Sequence, residues 1–291
     1  MTEKLTKNNR LMRIASLASV AVASMLIAAK AAAYLVTGSM AILSSLFDSI
    51  QDLMTSVINV FAIRRATEPA DQKHRFGHGK AQAIGGLIQS GIIAMSSLFL
   101  LTTAIDRFIN PRGLTQVGLG LGITLFALAL TTGLITFQAY VLRRTKSLSI
   151  RADRAHYTGD ILMNTGVIIS ILATYYLNWL WIDALFGICV SVYLLCAIYR
   201  IMVEALEVLM DSEMPNPFRR RIEETVLSFK EVSAIEDLKT RSSGDAVFVQ
   251  MNVRMPGSLS LTRAHRITDA IESALRMQFP EAVVIIHPEP Q

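Results

Sequence analysis

Ser45-Leu-Phe-Asp48-Ser-Ile-Gln-Asp52-Leu-Met54 is the stretch that decides the fold, because it sets two carboxylates inside an apolar run extending from about residue 40 to 63. A run of that length suits a helix crossing the hydrocarbon core of a bilayer. Asp48 and Asp52 are four residues apart, so a helix carries them on one face, one turn from each other. A charged group at membrane depth costs at least about 2.5 kcal/mol even on the lenient insertion scale, and two like charges at this spacing also repel. A bound cation would remove both costs.

Working outward, five further runs of mainly apolar residues lie near 14–36, 84–108, 115–141, 156–178 and 183–205. With 291 residues, 52% hydrophobic composition and a mean hydropathy of +0.43, the chain has room for these spans and one small soluble domain, and is too apolar for an ordinary soluble enzyme. The net charge of +5 does not point to nucleic acid, since the basic residues cluster at the ends of apolar runs. Arg64, Arg65, Lys73, Arg75 and Lys80 follow the second run, and Arg143, Arg144, Lys146, Arg151 and Arg154 lie between the fourth and fifth. The connectors 37–40 and 178–183 carry no Lys or Arg, and the loop 106–114 carries only Arg107 and Arg112. By the positive-inside tendency both termini are expected in the cytoplasm, with the first span retained rather than cleaved as a signal peptide. Cys189 and Cys196 are seven residues apart in one run, about 10 Å on a helix and beyond disulfide reach, and are expected to be packing residues.

After about Glu204 the composition turns polar, and Pro215 and Pro217 forbid a continuous helix. Residues 218–229 and 261–279 have helical periodicity, whereas 234–241, 246–255 and 282–287 read as strands. The expected fold class is therefore a six-helix transmembrane protein, residues 1–211, with a small cytoplasmic αββαβ, ferredoxin-like α+β domain, residues 212–291.

The fifth run opens Arg154-Ala-His156-Tyr-Thr-Gly-Asp160, repeating the four-residue spacing with an imidazole and a carboxylate. Together the two runs offer one nitrogen and three carboxylates, a donor set suited to a tetrahedral transition-metal site: zinc, or iron(II), cobalt or cadmium. Taken singly, either pair could instead be an interfacial residue snorkelling to headgroups or a polar helix contact, and His156 lies near the end of its span. Asn59, Asn164, Gln51, Gln82, Gln89 and Gln138 are expected to hydrogen-bond between helices. In the loop after the second run, Asp71, His74 and His78 put one carboxylate and two imidazoles within eight residues, either a metal site or a solvated polar loop.

Asp-x-x-x-Asp in the second span, His-x-x-x-Asp in the fifth, Phe76-Gly-His-Gly-Lys80 and the αββαβ tail together resemble the cation diffusion facilitator family, in particular its bacterial zinc/iron(II) efflux branch. The resemblance covers nearly the whole chain. It implies a homodimer in the inner membrane that exchanges cytoplasmic Zn2+ or Fe2+ for external protons, with Cd2+, Co2+ and Mn2+ as further substrates. It also implies a transport site of Asp48, Asp52, His156 and Asp160, a loop site of Asp71, His74 and His78, and a Lys80–Asp211 charge pair at the dimer interface. In the tail His265, His287 and Glu289 match ligand positions, but Glu236 and Asn252 stand where such relatives have histidines, which leaves at most one ion on Glu236, His265, His287 and Glu289. A membrane-anchored metal sensor or assembly protein would need only the tail and leaves the carboxylates of the second span unexplained. An intramembrane metalloenzyme is disfavoured by the lack of His-Glu-x-x-His and of a nucleophile–base set.

Overall fold

The computed structural model describes residues 2–38, 40–110, 118–145, 147–177, 179, 181–244 and 246–291; Arg112 and Lys146 lie outside them. Six long helices come first: α1 (Thr2–Thr37), α2 (Met40–Ala66), α3 (Ala81–Ile109), α4 (Gly118–Leu142), α5 (Leu148–Leu177) and α6 (Ile182–Leu209). Five of them, α1 to α4 and α6, are long and apolar enough to cross a membrane. The 30-residue α5 carries Arg151, Asp153, Arg154 and Asp160 in its first half and is mainly apolar after Asp160.

The helices α1, α2, α5 and α4 contact one another in a closed ring, with α2 against α5 the thinnest seam. The most extensive helix pairing is α3 on α6, set against the ring through α2 and α5. Close approach there depends on small residues: a Cβ added at Gly187 of α6 would sit 2.9 Å from the Ala104 Cβ of α3. Cys189 and Cys196 form no disulfide, as their spacing led one to expect, and are exposed, off the buried α6 stripe of Gly187, Val190, Leu194 and Ile198.

The soluble domain follows the anticipated order: α7 (Asn216–Leu227), β1 (Ala234–Ser243), β2 (Ala246–Met255), α8 (Leu261–Gln278) and β3 (Ala282–Pro290). Pro215 caps α7 and Pro217 occupies its first turn, where a missing N–H costs nothing. In the sheet β2 is central, antiparallel to β1 and parallel to β3. Alternate β2 residues Val247, Val249, Met251, Val253 and Met255 are buried, and Ile222, Val226, Ile271 and Leu275 of the helices complete that core. One face of the sheet is thus covered by both helices.

The loop after α2 meets the turn between β1 and β2. The rings of Phe76 and Phe248 pack edge to face at 5.5 Å, and the Arg241 guanidinium lies 5.0 Å from each.

Candidate metal centre

At the α2–α5 seam, His156 Nε2 lies 2.7 Å from Asp52 Oδ1 and 3.9 Å from Asp160 Oδ2. One ligand atom from each of Asp52, His156 and Asp160 falls within 4.8 Å of the other two. The Asp52 and His156 side chains are nearly buried, at 11% and 12% exposure, whereas Asp160 is 36% exposed. Asp48 is exposed and stands outside this group, although its charge interacts with Asp52, Lys30 and His156. The centre is therefore closed at Asp52 and His156 and uncovered toward Asp48, in the part of α2 that begins at Met40. Beside it the fully buried Tyr157 hydroxyl lies 3.1 Å from Ser56 Oγ, a second link across the same seam.

Two charged residues near this centre went unnoticed in the sequence. Asp153 is fully buried one turn before His156 and accepts hydrogen bonds from Ser19 Oγ (2.6 Å), Gln138 Nε2 (2.6 Å) and Gln89 Nε2 (3.1 Å). It ties α5 to α1, α4 and α3 at a single carboxylate, and so fixes the rotation of α5 that presents His156. Lys30 of α1 donates to the Ser45 carbonyl (3.0 Å) and Ser49 Oγ (2.7 Å) of α2. A lone Asp three residues before a singled-out His, and a lone Lys inside the run 14–36, were the available signals.

The embedded glutamines bond between helices as expected, Gln51 to Ser96 at 2.7 Å and Gln82 to the Met12 sulfur at 3.6 Å among them. Asn59 does not: it is buried and neither polar atom of its side chain has a hydrogen-bond partner among the described residues.

The loop residues Asp71, His74 and His78 also converge within metal-holding distance. Asp71 accepts the backbone N–H groups of His74 (2.6 Å) and Lys73 (2.8 Å). The His74 N–H foremost, then that of Lys73 and the His74 ring, hold its carboxyl down at about 2 against a smaller opposing effect of burial. His78 is buried, and its Nε2 lies 3.2 Å from Asp71 Oδ2, yet neither ring nitrogen has hydrogen-bond geometry to a partner. His74 Nδ1 lies within hydrogen-bond reach of the same carboxylate (3.3 Å), and a buried His78 nitrogen facing it without a hydrogen bond fits a shared cation, so the donor set suits a metal.

Lys80 and Asp211 pair within one chain, Nζ to Oδ1 at 2.9 Å, with Arg241 on the same oxygen at 3.2 Å. Partial burial would raise the Asp211 carboxyl, but Lys80 and Arg241 outweigh it and the net shift is downward. In the tail, among the described residues, Glu236, His265, His287 and Glu289 do not come together. Glu236 pairs with Arg254 (3.0 Å), His265 lies 3.5 Å from Asp269, and Glu289 accepts from Asn252 Nδ2 (2.8 Å). The asparagine in place of a histidine thus engages a carboxylate that an ion would need. A cleft of about 750 Å³, bordered by Glu204, Glu207, Glu213 and Arg144, lies between the helix ends and the soluble domain and reaches Gly79, next to His78.

Residues 16–210 match the model of the cation efflux transmembrane domain, and 214–291 that of the cation efflux protein cytoplasmic domain. The cation-efflux pumps FieF of Salmonella choleraesuis (strain SC-B67) and Salmonella newport (strain SL254) are each 40% identical over 281 residues, which is 97% of this chain and 93% of theirs. A solved structure of CzrB, named for zinc transport, is 30% identical over 27% of this chain and 98% of its own, with a TM-score of 0.26. Two domain models in succession across almost the whole sequence, and relatives matched nearly end to end, make this chain a member of the cation efflux family and a membrane transporter rather than an enzyme.

Proposed function

We propose that this chain is a proton-coupled exporter of a divalent transition-metal ion, zinc or iron(II), with Cd2+, Co2+ and Mn2+ as further substrates. The observation that carries the reading is the convergence of His156 with Asp52 and Asp160 at the α2–α5 seam. Asp48, at the uncovered side, is the fourth ligand, engaged as the ion enters or leaves. In this reading residues 1–211 form the transport domain and 212–291 a cytoplasmic domain that joins two chains as a homodimer. All six helices, α5 among them, span the inner membrane with both termini in the cytoplasm. Asp71, His74 and His78 hold a second ion in the cytoplasmic loop.

Coupling follows from the donor chemistry. A carboxylate or imidazole binds metal only without its proton, so loading from the cytoplasm releases protons and reprotonation from outside expels the ion. The thin seam between α2 and α5 is where two ring helices can move against each other while the α3–α6 pair stays packed.

Purified protein in proteoliposomes should take up zinc, and iron(II) under reducing conditions, when a proton gradient is imposed. Asp52→Ala should reduce uptake to the level of protein-free vesicles while remaining folded, because it deletes a costly buried charge. Wild-type uptake by folded Asp52→Ala, or uptake indifferent to the gradient, contradicts the site or the coupling respectively.

A further inference from the structure

We infer that Lys30 is a fixed counter-charge of the transport site, trimming it from three negative charges to two and thereby matching it to a divalent ion. The inference rests on the reading of Asp48, Asp52, His156 and Asp160 as that site. Lys30 comes from α1, which supplies none of the four ligands, and its ammonium reaches across to α2. Its acceptor Ser49 is fully buried between Asp48 and Asp52 in sequence, and its other acceptor is the Ser45 carbonyl one turn earlier. The ammonium interacts electrostatically with Asp52, Asp160 and Asp48, the three carboxylates of the site. No hydrogen bond or ion pair of Lys30 to any of them is found among the described residues, so it adds charge without occupying a ligand atom.

The electrostatics of such a placement are selective for valence. Three carboxylates and a neutral imidazole carry three negative charges, and the ammonium leaves two, the charge of one divalent ion. The four ligands, Lys30 and a divalent ion then sum to zero, a favourable state at membrane depth, with Asp153 outside this set and held by its own three hydrogen-bond donors. A fixed positive charge nearby also repels the bound ion in proportion to that ion's charge, so it weakens trivalent ions more than divalent ones and keeps the cargo releasable.

The test is binding to the full-length detergent-solubilised protein at pH 8, with zinc measured by calorimetry and terbium(III) by luminescence in competition with zinc. Lys30→Gln and Lys30→Met should bind zinc about tenfold more tightly and raise the terbium-to-zinc affinity ratio about threefold, since the effect scales exponentially with ion charge. Lys30→Arg, which keeps the charge, and Ser49→Ala, which keeps the charge but removes the hydrogen bond, should match wild type. Expression and folding of both neutral variants are checked first, since they leave the three carboxylates without their counter-charge. Zinc affinity within twofold of wild type in Lys30→Gln, weaker binding, or a Ser49→Ala protein that behaves like Lys30→Gln would each overturn the inference and leave Lys30 as a tie between α1 and α2. All variants carry His74→Ala and His78→Ala so that the loop cluster does not contribute, and Asp52→Ala on that background separates the two questions: if it retains the zinc binding of its parent, the site assignment fails, whatever Lys30 does.

Discussion

Gly79→Ala is the perturbation whose outcome follows most directly from geometry. A Cβ at Gly79 would lie 2.2 Å from the Ser243 carbonyl oxygen, 2.5 Å from its carbon and 2.9 Å from the Gly244 nitrogen. All three are backbone atoms of the β1–β2 turn, so no side chain can swing aside. Ordinary contact begins near 3.4 Å, and the loop and turn must therefore separate by about 1.2 Å. The turn cannot absorb this alone, because Gly244 has φ +63° and its own Cβ position is 3.0 Å from Gly79 Cα. Overpacking of this kind costs about 1–3 kcal/mol. That corresponds to roughly a 5- to 150-fold loss in the population with the soluble domain docked. The Phe76–Phe248 contact and the Arg241 stacking lie in the same interface and should loosen with it. Hydrogen exchange should rise in residues 73–80 and 240–248, with little change in α3 beyond its first turn. Gly91→Ala is the control, since a Cβ there meets nothing within 4 Å. Exchange in Gly79→Ala indistinguishable from wild type would mean that the loop does not seat on the turn as described.

His156→Asp should lower zinc transport and shift the manganese-to-zinc ratio upward by on the order of tenfold, about 1.4 kcal/mol, because it replaces the single nitrogen donor by oxygen. An unchanged metal preference in folded variant protein would remove His156 from the ligand set. The Asp71 carboxyl lies below its ordinary value of 3.8, at about 2, so the ionised form stabilises the loop fully above about pH 4 and that contribution is lost as pH falls through 2. Its carboxyl carbon resonance should stay flat from pH 8 to 4, and a midpoint near 4 would show that the His74 and Lys73 N–H bonds are not formed. Spin labels across α2 and α5 should report a larger metal-dependent distance change than labels across α3 and α6, and equal changes would deny the seam its part in gating.

What the sequence revealed and what it concealed follow from one physical difference. Periodicity is local, so helices α1–α6 and the αββαβ order were legible, as were Asp48 with Asp52 and His156 with Asp160, whose members share a helix face by spacing alone. That Asp52 rather than Asp48 completes the close group with His156 and Asp160 depends on the relative height of α2 and α5, and spacing within one helix carries no such information. Asp153 and Lys30 escaped for the same reason: neither forms an i, i+4 metal-ligand pair on its own helix, and only the surrounding helices disclose its role. Asp153 is accounted for by donors on α1, α3 and α4, Lys30 by acceptors on α2 and by carboxylates on α2 and α5. The cost of placing an ion in hydrocarbon applies to a solitary charge as fully as to a pair. A lone Lys in an apolar run is therefore as informative as the Asp-x-x-x-Asp motif, provided one asks which opposite charges at the same depth would compensate it. In this chain the candidates were already in view. Three carboxylates with one imidazole leave a divalent ion one positive charge short of neutrality, and Lys30 is the residue on α1 placed to supply it.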